Sequence, residues 1–243
     1  MGTKGKKVKT VKTVRPPKLF NKRTMTIMLD NGHGQETPGK ASPDGRLQEW
    51  KWAREMVGMI KEDLTAKGYD VVLVTPEDTD ISLSERCRRV NDVCNSKGAK
   101  NVLVVSVHVN AFGNGWTDPS GFLSLVSFNA SNDSKKLAKA ISDEAYKMGL
   151  KGNRWVPEEG YRVQDLMICR DTKCPAVLTE NMFMTNEQDV EFLLSDEGKQ
   201  MLCEAHVTGI RKYISPLSRI VNLPNQSHAW PHVHRVHHIY HIK

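Results

Sequence analysis

Between residues 24 and 214 short β-forming runs alternate with longer stretches of helical periodicity, and that alternation is the tightest constraint on how this chain folds. Strand-like runs fall at 25–29, 70–74, 101–106, 122–128 and 176–179, and helical patterns at 50–67, 83–96, 133–148, 186–194 and 195–213. The run Val102-Leu103-Val104-Val105 is continuously apolar, as expected of a strand covered on both faces. Lys67-Gly68 and Lys97-Gly98 read as helix stops, with a cation at the negative end of the dipole and glycine supplying the cap. Alternation of this kind predicts an α/β fold: a mostly parallel, twisted sheet with helices on both faces, in one domain.

Two segments flank that core, an arm at 1–23 and an extension at 215–243. The formal net charge is +7, but the arm alone holds nine Lys and Arg and no acid, so the rest of the chain carries a net charge of −2. Such an arm reads first as a solvated, disordered segment, and second as an attractor of polyanions such as nucleic acid, anionic lipid or wall polymers. Residues 225–243 include His228, His232, His234, His237, His238 and His241, read as a flexible or surface-docked extension able to capture metal adventitiously. The five cysteines (Cys87, Cys94, Cys169, Cys174, Cys203) are odd in number and form no C-x-x-C pair, which argues for buried free thiols rather than a disulfide framework or a zinc knuckle. No apolar run approaches a membrane span. None of signal-peptide length follows the basic N-terminus, so the expectation is a chain made in the cytoplasm and not exported by the usual route.

Polar residues stand where open α/β sheets place their sites. His33 follows the first strand in Asp30-Asn31-Gly32-His33-Gly34, with two glycines allowing a tight turn around it. His108 closes the third strand and Glu180 the last. In a parallel sheet all three emerge at the carboxyl edge, where ligands bind. Two imidazoles and a carboxylate suit Zn²⁺, which in catalytic sites keeps three protein ligands and one open position. Glu49 is a further candidate, because it begins a helix whose apolar stripe is Trp52, Ala53, Met56, Val57, Ile60 and Leu64, and it lies on that same inward face. Spacing alone leaves two readings of Glu49 open, a metal ligand or a helix cap.

Taken together these motifs resemble the zinc N-acetylmuramoyl-L-alanine amidases of the Amidase_3 type. The resemblance is carried by Leu29-Asp30-Asn31-Gly32-His33-Gly34, Glu49, Leu83 with Arg86 and Asn91, Ser106-Val107-His108-Val109-Asn110-Ala111, and the stretch from Cys174-Pro175-Ala176 to Met184-Thr185-Asn186, in the family's order over about four-fifths of the chain. It implies that 24–214 is a zinc amidase catalytic domain in which His33, Glu49 and His108 bind Zn²⁺ and Glu180 is the catalytic acid/base. It implies peptidoglycan as substrate, cut between N-acetylmuramic acid and L-alanine. Where the family usually has proline this chain has Asn31, expected to be a tolerable loop change. No inserted helix of the kind that blocks the site in some members is visible, so an open site is expected.

Further roles follow with less constraint. Asn110 and Arg162 are candidate substrate contacts, and the loops 112–120 and 149–165, with Trp116 and Trp155, are expected to flank the cleft as sugar-stacking planes or as loop anchors. Asp30 and Ser106 read as strand-end hydrogen bonders or as partners orienting the ligand histidines, and Arg86 and Asn91 as residues that hold the fold. Competing functional readings are a related zinc peptidase or deacetylase acting on another amide, and a non-catalytic wall- or nucleic-acid-binding protein. A wall hydrolase without an export signal is expected to be a phage lysin released at lysis, with the basic arm helping it reach anionic envelope surfaces.

Overall fold

The structure, a computed structural model, describes residues 25–215, so the expectations for the basic arm and for the histidine-rich extension lie outside the described residues. The strands are β1 (Thr26–Asn31), β2 (Asp70–Leu73), β3 (Val102–Asn110), β4 (Leu123–Val126), β5 (Tyr161–Val163) and β6 (Ala176–Phe183). The helices are α1 (Glu49–Ala66), α2 (Leu83–Lys97), α3 (Asn132–Lys147), α4 (Met167–Arg170), α5 (Glu187–Leu194) and α6 (Asp196–Ile214). One six-stranded sheet runs in the order β2-β1-β3-β6-β4-β5. The pairs from β2 to β6 are parallel; β4 is antiparallel to β6 and parallel to β5. The expected mostly parallel α/β sheet is present, with a reversed edge.

Alternate residues of each central strand face opposite helical layers, as the period of two requires. Ile27, Leu29, Leu103, Val105 and Val107 pack with α1, α3, α5 and α6; Met28, Val102, Val104, Ala176 and Leu178 pack with α2 and α4. Every residue of the anticipated α1 stripe is buried. Each such aliphatic side chain removed from water contributes about 1.5–3 kcal/mol before the entropy of ordering is subtracted. Trp52 also donates its indole N–H to the Leu193 carbonyl at 2.8 Å, tying α1 to the end of α5. All five cysteines are free and buried, and no described helix is long and apolar enough to cross a membrane.

The anticipated elements recur with shifted ends. Three strands run further than their apolar runs suggested: β1 takes in Asn31, and β3 and β6 continue past His108 and Glu180, the residues expected to close them, to Asn110 and Phe183. Polar side chains end an apolar pattern, but the backbone ladder continues as long as a neighbour strand supplies partners. Asn31 is therefore a buried strand residue and not a loop residue, and its Oδ1 accepts from the Thr75 hydroxyl at 3.0 Å. The short β5 and α4 were not anticipated, because three or four residues carry no readable period.

α6 lies against α3 at a glycine. A Cβ added to Gly209 would stand 2.5 Å from the Ile141 Cα. Gly209→Ala is expected to force the helices apart and destabilise the domain by about 1–3 kcal/mol, read as a lower urea midpoint with an unchanged slope.

Candidate metal centre

Sheet order sets the position of the site. β1 is flanked by β2 on one side and β3 on the other, so the chain leaves β1 and β3 in diverging directions and opens a crevice at their carboxyl ends. His33 lies just past β1 and His108 near the end of β3, on the two lips of that crevice. Their rings meet edge to face, with centroids 5.0 Å apart.

Glu49 reaches the crevice from the first residue of α1. Its side chain makes no cap to its own helix; it is 1% exposed, and its Oε1 accepts from the Val109 N–H at 3.0 Å. Oε1 lies 3.1 Å from His108 Nδ1, and Oε2 lies 3.4 Å from His33 Nε2. Of the two readings left open by spacing, the cap is thus excluded. His33, Glu49 and His108 each offer a donor atom, and these atoms lie within 4.8 Å of one another. Donors bound to one tetrahedral zinc at about 2.0–2.1 Å stand roughly 3.3 Å apart, close to the two separations found. Glu49 Oε2 is buried with no hydrogen-bond partner, an atom that a cation would satisfy.

The local backbone serves this cluster. His33 itself adopts the left-handed conformation, φ 60°, not the glycines beside it. Its carbonyl accepts from Arg54 at 3.3 Å and from Arg86 at 3.2 Å, which holds that rare conformation in place. Gly32 and Gly34 are needed for a different reason from the tight turn expected. A Cβ on Gly32 would lie 2.3 Å from the His108 ring, and one on Gly34 would lie 2.1 Å from the Asp80 backbone nitrogen.

Electrostatics sort the groups into roles. Burial pushes His33 down to about 4, against the pull of Glu49, so its imidazole is neutral and its lone pair available. Burial also opposes charge on His108, but the hydrogen bond and charge of Glu49 outweigh it and the net shift is upward. Glu49 is held below its usual range, because its two histidine partners outweigh the burial that would raise it. Glu180 stands opposite His108 in the β3–β6 register. Burial raises its carboxyl to about 7, with repulsion from Glu49 adding and His108 opposing. Its Oε2 is buried without a partner. A carboxyl titrating near neutrality can both take and return a proton.

A cavity of about 350 Å³ opens on His33, His108, Ser106 and Asp30, walled by Ile81, Leu83, Leu166, Met167, Ile168 and Leu178. Asn110 and Arg162 stand outside the cluster's bonding. Asn110 turns its Oδ1 onto the Ala111 N–H at 2.9 Å. Arg162, on β5, donates to the Trp155 carbonyl and lies 5.8 Å from that ring's centroid, two strands from Glu180. Trp155 and Trp116 are both exposed. Asn91 bridges α2 to the Asp171 carbonyl and the Lys173 N–H, the fold-holding role expected of it. Sequence reasoning missed Arg54, whose place on α1 marks it as surface-like, and Lys40, whose charge reaches both His33 and Glu180.

Comparison with known proteins adds an independent finding. Residues 27–212 match the family N-acetylmuramoyl-L-alanine amidase (Amidase_3). The chain is 31% identical to the endolysin of Bacillus phage SPP1, over 78% of this chain and 66% of that protein. It is 26% identical to an N-acetylmuramoyl-L-alanine amidase of Neisseria meningitidis serogroup B, over 84% of this chain and 56% of that protein. It thus spans little more than half to about two thirds of the length of these curated relatives. The fold is similar to the N-acetylmuramoyl-L-alanine amidase of Clostridium difficile 630, with TM-score 0.68 at 24% identity over 79% of this chain and 98% of that one. It is also similar to the catalytic domain of an amidase from Bacillus (Paenibacillus) polymyxa, with TM-score 0.65 at 22% identity over 78% of this chain and 98% of that one.

Two outcomes follow from this geometry. Gly32→Ala is expected to displace the His108 ring and weaken binding of a divalent metal at least about tenfold in a chelator competition, with the far-UV spectrum unchanged. The second concerns Glu180 in metal-free protein. Its folded pKa of about 7 lies above the ordinary 4.5, so between those values the folded state holds the extra proton and stability falls as pH rises. Glu180→Gln removes that loss, and is expected to stabilise the metal-free protein at pH 8 relative to pH 5 by up to about 3 kcal/mol in paired denaturant titrations.

Proposed function

Because the chain belongs to the N-acetylmuramoyl-L-alanine amidase family, we propose that it hydrolyses the amide between N-acetylmuramic acid and L-alanine in peptidoglycan. Zinc is the metal, with His33, Glu49 and His108 as its ligands and Glu180 as the catalytic acid/base. The observation that carries this reading is the three donors converging at the β1–β3 crevice, with a carboxyl poised near neutrality opposite one of them in register.

Zinc bound there supplies a Lewis acid for the scissile carbonyl and a water acidic enough to attack near neutral pH. Glu180 takes the proton of the attacking water as the oxygen closes on the lactyl carbonyl carbon. It returns that proton to the alanine nitrogen as the C–N bond breaks, so the carboxyl ends the cycle as it began. A carboxyl whose Oε2 is buried and unpartnered, and which burial raises above the usual range, is suited to both half-steps. Neutral His33 needs no deprotonation before it ligates.

The likeness to a phage endolysin supports action in lysis on the bacterial wall. An anionic envelope surface is the proposed partner of the basic arm at 1–23. Asn110 and Arg162 remain proposed substrate contacts at the rim, and Arg162 would need to leave Trp155 to pair with a stem-peptide carboxylate.

Mass spectrometry of digested peptidoglycan tests the proposal directly. The expected products are intact stem peptides beginning with L-alanine, abolished by chelator and restored by zinc. Shortened stems, or released acetate, would instead mark a peptidase or a deacetylase. Glu180→Ala is expected to retain stoichiometric zinc while cleavage drops by about two orders of magnitude or more. His33→Ala and His108→Ala are expected to lose the metal, and full zinc in both would overturn the ligand assignment.

A further inference from the structure

We propose that Arg86, Asp30 and Ser106 form a positioning relay that dictates which nitrogen of His108 meets the metal, and that this nitrogen is Nδ1. The inference rests on the zinc reading above and extends it to residues that touch neither metal nor substrate.

The relay follows from strand register. Asp30 on β1 and Ser106 on β3 are direct neighbours across the parallel pair, and His108, two residues on, projects from the same face. Ser106 Oγ lies 2.6 Å from Asp30 Oδ2 and 3.2 Å from His108 Nε2. The other oxygen of Asp30 accepts from Arg86 at 2.8 Å, and all three side chains of the relay are buried. A carboxylate beside a guanidinium only accepts hydrogen bonds. The single hydroxyl proton of Ser106 is therefore committed to Asp30, and the hydroxyl faces His108 with a lone pair. Only an Nε2 that carries hydrogen can meet it. With Nε2 keeping its hydrogen, the nitrogen left to give up its own to an arriving metal is Nδ1, whose hydrogen Glu49 Oε1 holds at 3.1 Å in the metal-free site.

Arg86 extends the same control to the second histidine. Its guanidinium also donates to the carbonyls of Asn31 at 2.6 Å and His33 at 3.2 Å, and its Nε donates to the Ile81 carbonyl at 2.8 Å. One side chain from α2, a helix that offers no metal ligand, thus braces both histidine-bearing segments. The metal site is set before the metal arrives, which lowers the cost of ordering it on binding.

Polarity provides a test that a merely structural role would not pass. In Asp30→Asn the amide oxygen turns to Arg86 and the amide N–H₂ to Ser106. The hydroxyl proton then swings onto Nε2, the ring hydrogen is held on Nδ1, and ligation through Nδ1 is disfavoured. Zinc affinity by competition with a fluorescent chelator is expected to fall about 100-fold in Asp30→Asn and about tenfold in Ser106→Ala. The double variant is expected to bind at least as tightly as Asp30→Asn alone, because without the hydroxyl no reversed donor remains. Melting temperatures of the metal-free variants separate these effects from loss of fold. Long-range ¹H–¹⁵N spectra of the zinc-loaded, histidine-labelled wild type are expected to show His108 protonated at Nε2. Zinc bound through Nε2, or single variants within twofold of wild-type affinity, would overturn the relay while leaving the zinc site standing. Failure of the wild type itself to bind zinc would remove the zinc reading and the relay together.

Discussion

The parallel register of β1, β3 and β6 is the constraint on which everything else in this domain depends. Asp30 aligns with Ser106, and His108 with Glu180. A slip of one residue in either pairing would turn a whole set of side chains to the opposite face. The histidine, its hydroxyl partner, the aspartate and the acid/base candidate would then no longer share one side of the sheet. That register is enforced by the apolar residues between them, which fill two separate helical layers and cannot exchange places without exposing one layer's contents. Packing of ordinary aliphatic side chains thus positions the polar chemistry.

The polar centre works against the fold that holds it. Glu49 is a nearly inaccessible carboxylate, Glu180 is raised by burial, and each leaves an oxygen without a partner. A buried carboxyl oxygen without a hydrogen bond is costly, and a cation and a substrate would complete the missing contacts. By contrast, His206 is a buried histidine whose needs are met internally. It lies against the Thr179 hydroxyl at 2.9 Å and the Leu202 carbonyl at 2.8 Å, and burial keeps it neutral. The difference between a satisfied and an unsatisfied buried polar group separates a structural histidine from a ligand candidate here.

Much of this was legible in the chain. Alternating periodicities specified the α/β layers, and the placement of His33, His108 and Glu180 after apolar runs located the carboxyl edge. The stripe on α1 put Glu49 on the inward face. Other features were not legible, each for a definite reason. Strand ends were misjudged because hydrogen-bond ladders continue through polar residues that interrupt an apolar pattern. β5 and α4 are too short to show a period. Gly32 and Gly34 were correctly singled out, but their role is to make room for the His108 ring and the Asp80 backbone, contacts made by residues far away in sequence.

By itself, then, the sequence determined the layer architecture, the edge at which the chemistry lies and the residue types available there, because periodicity and side-chain chemistry are local properties. Only the tertiary structure decided that Glu49 is not a helix cap, that His33 and not a neighbouring glycine takes the left-handed conformation, and that Ser106 joins Asp30 to His108. Those outcomes depend on distances of about 3 Å between atoms on different strands and helices. Such distances are set by the packing of the whole domain, and no local pattern encodes them.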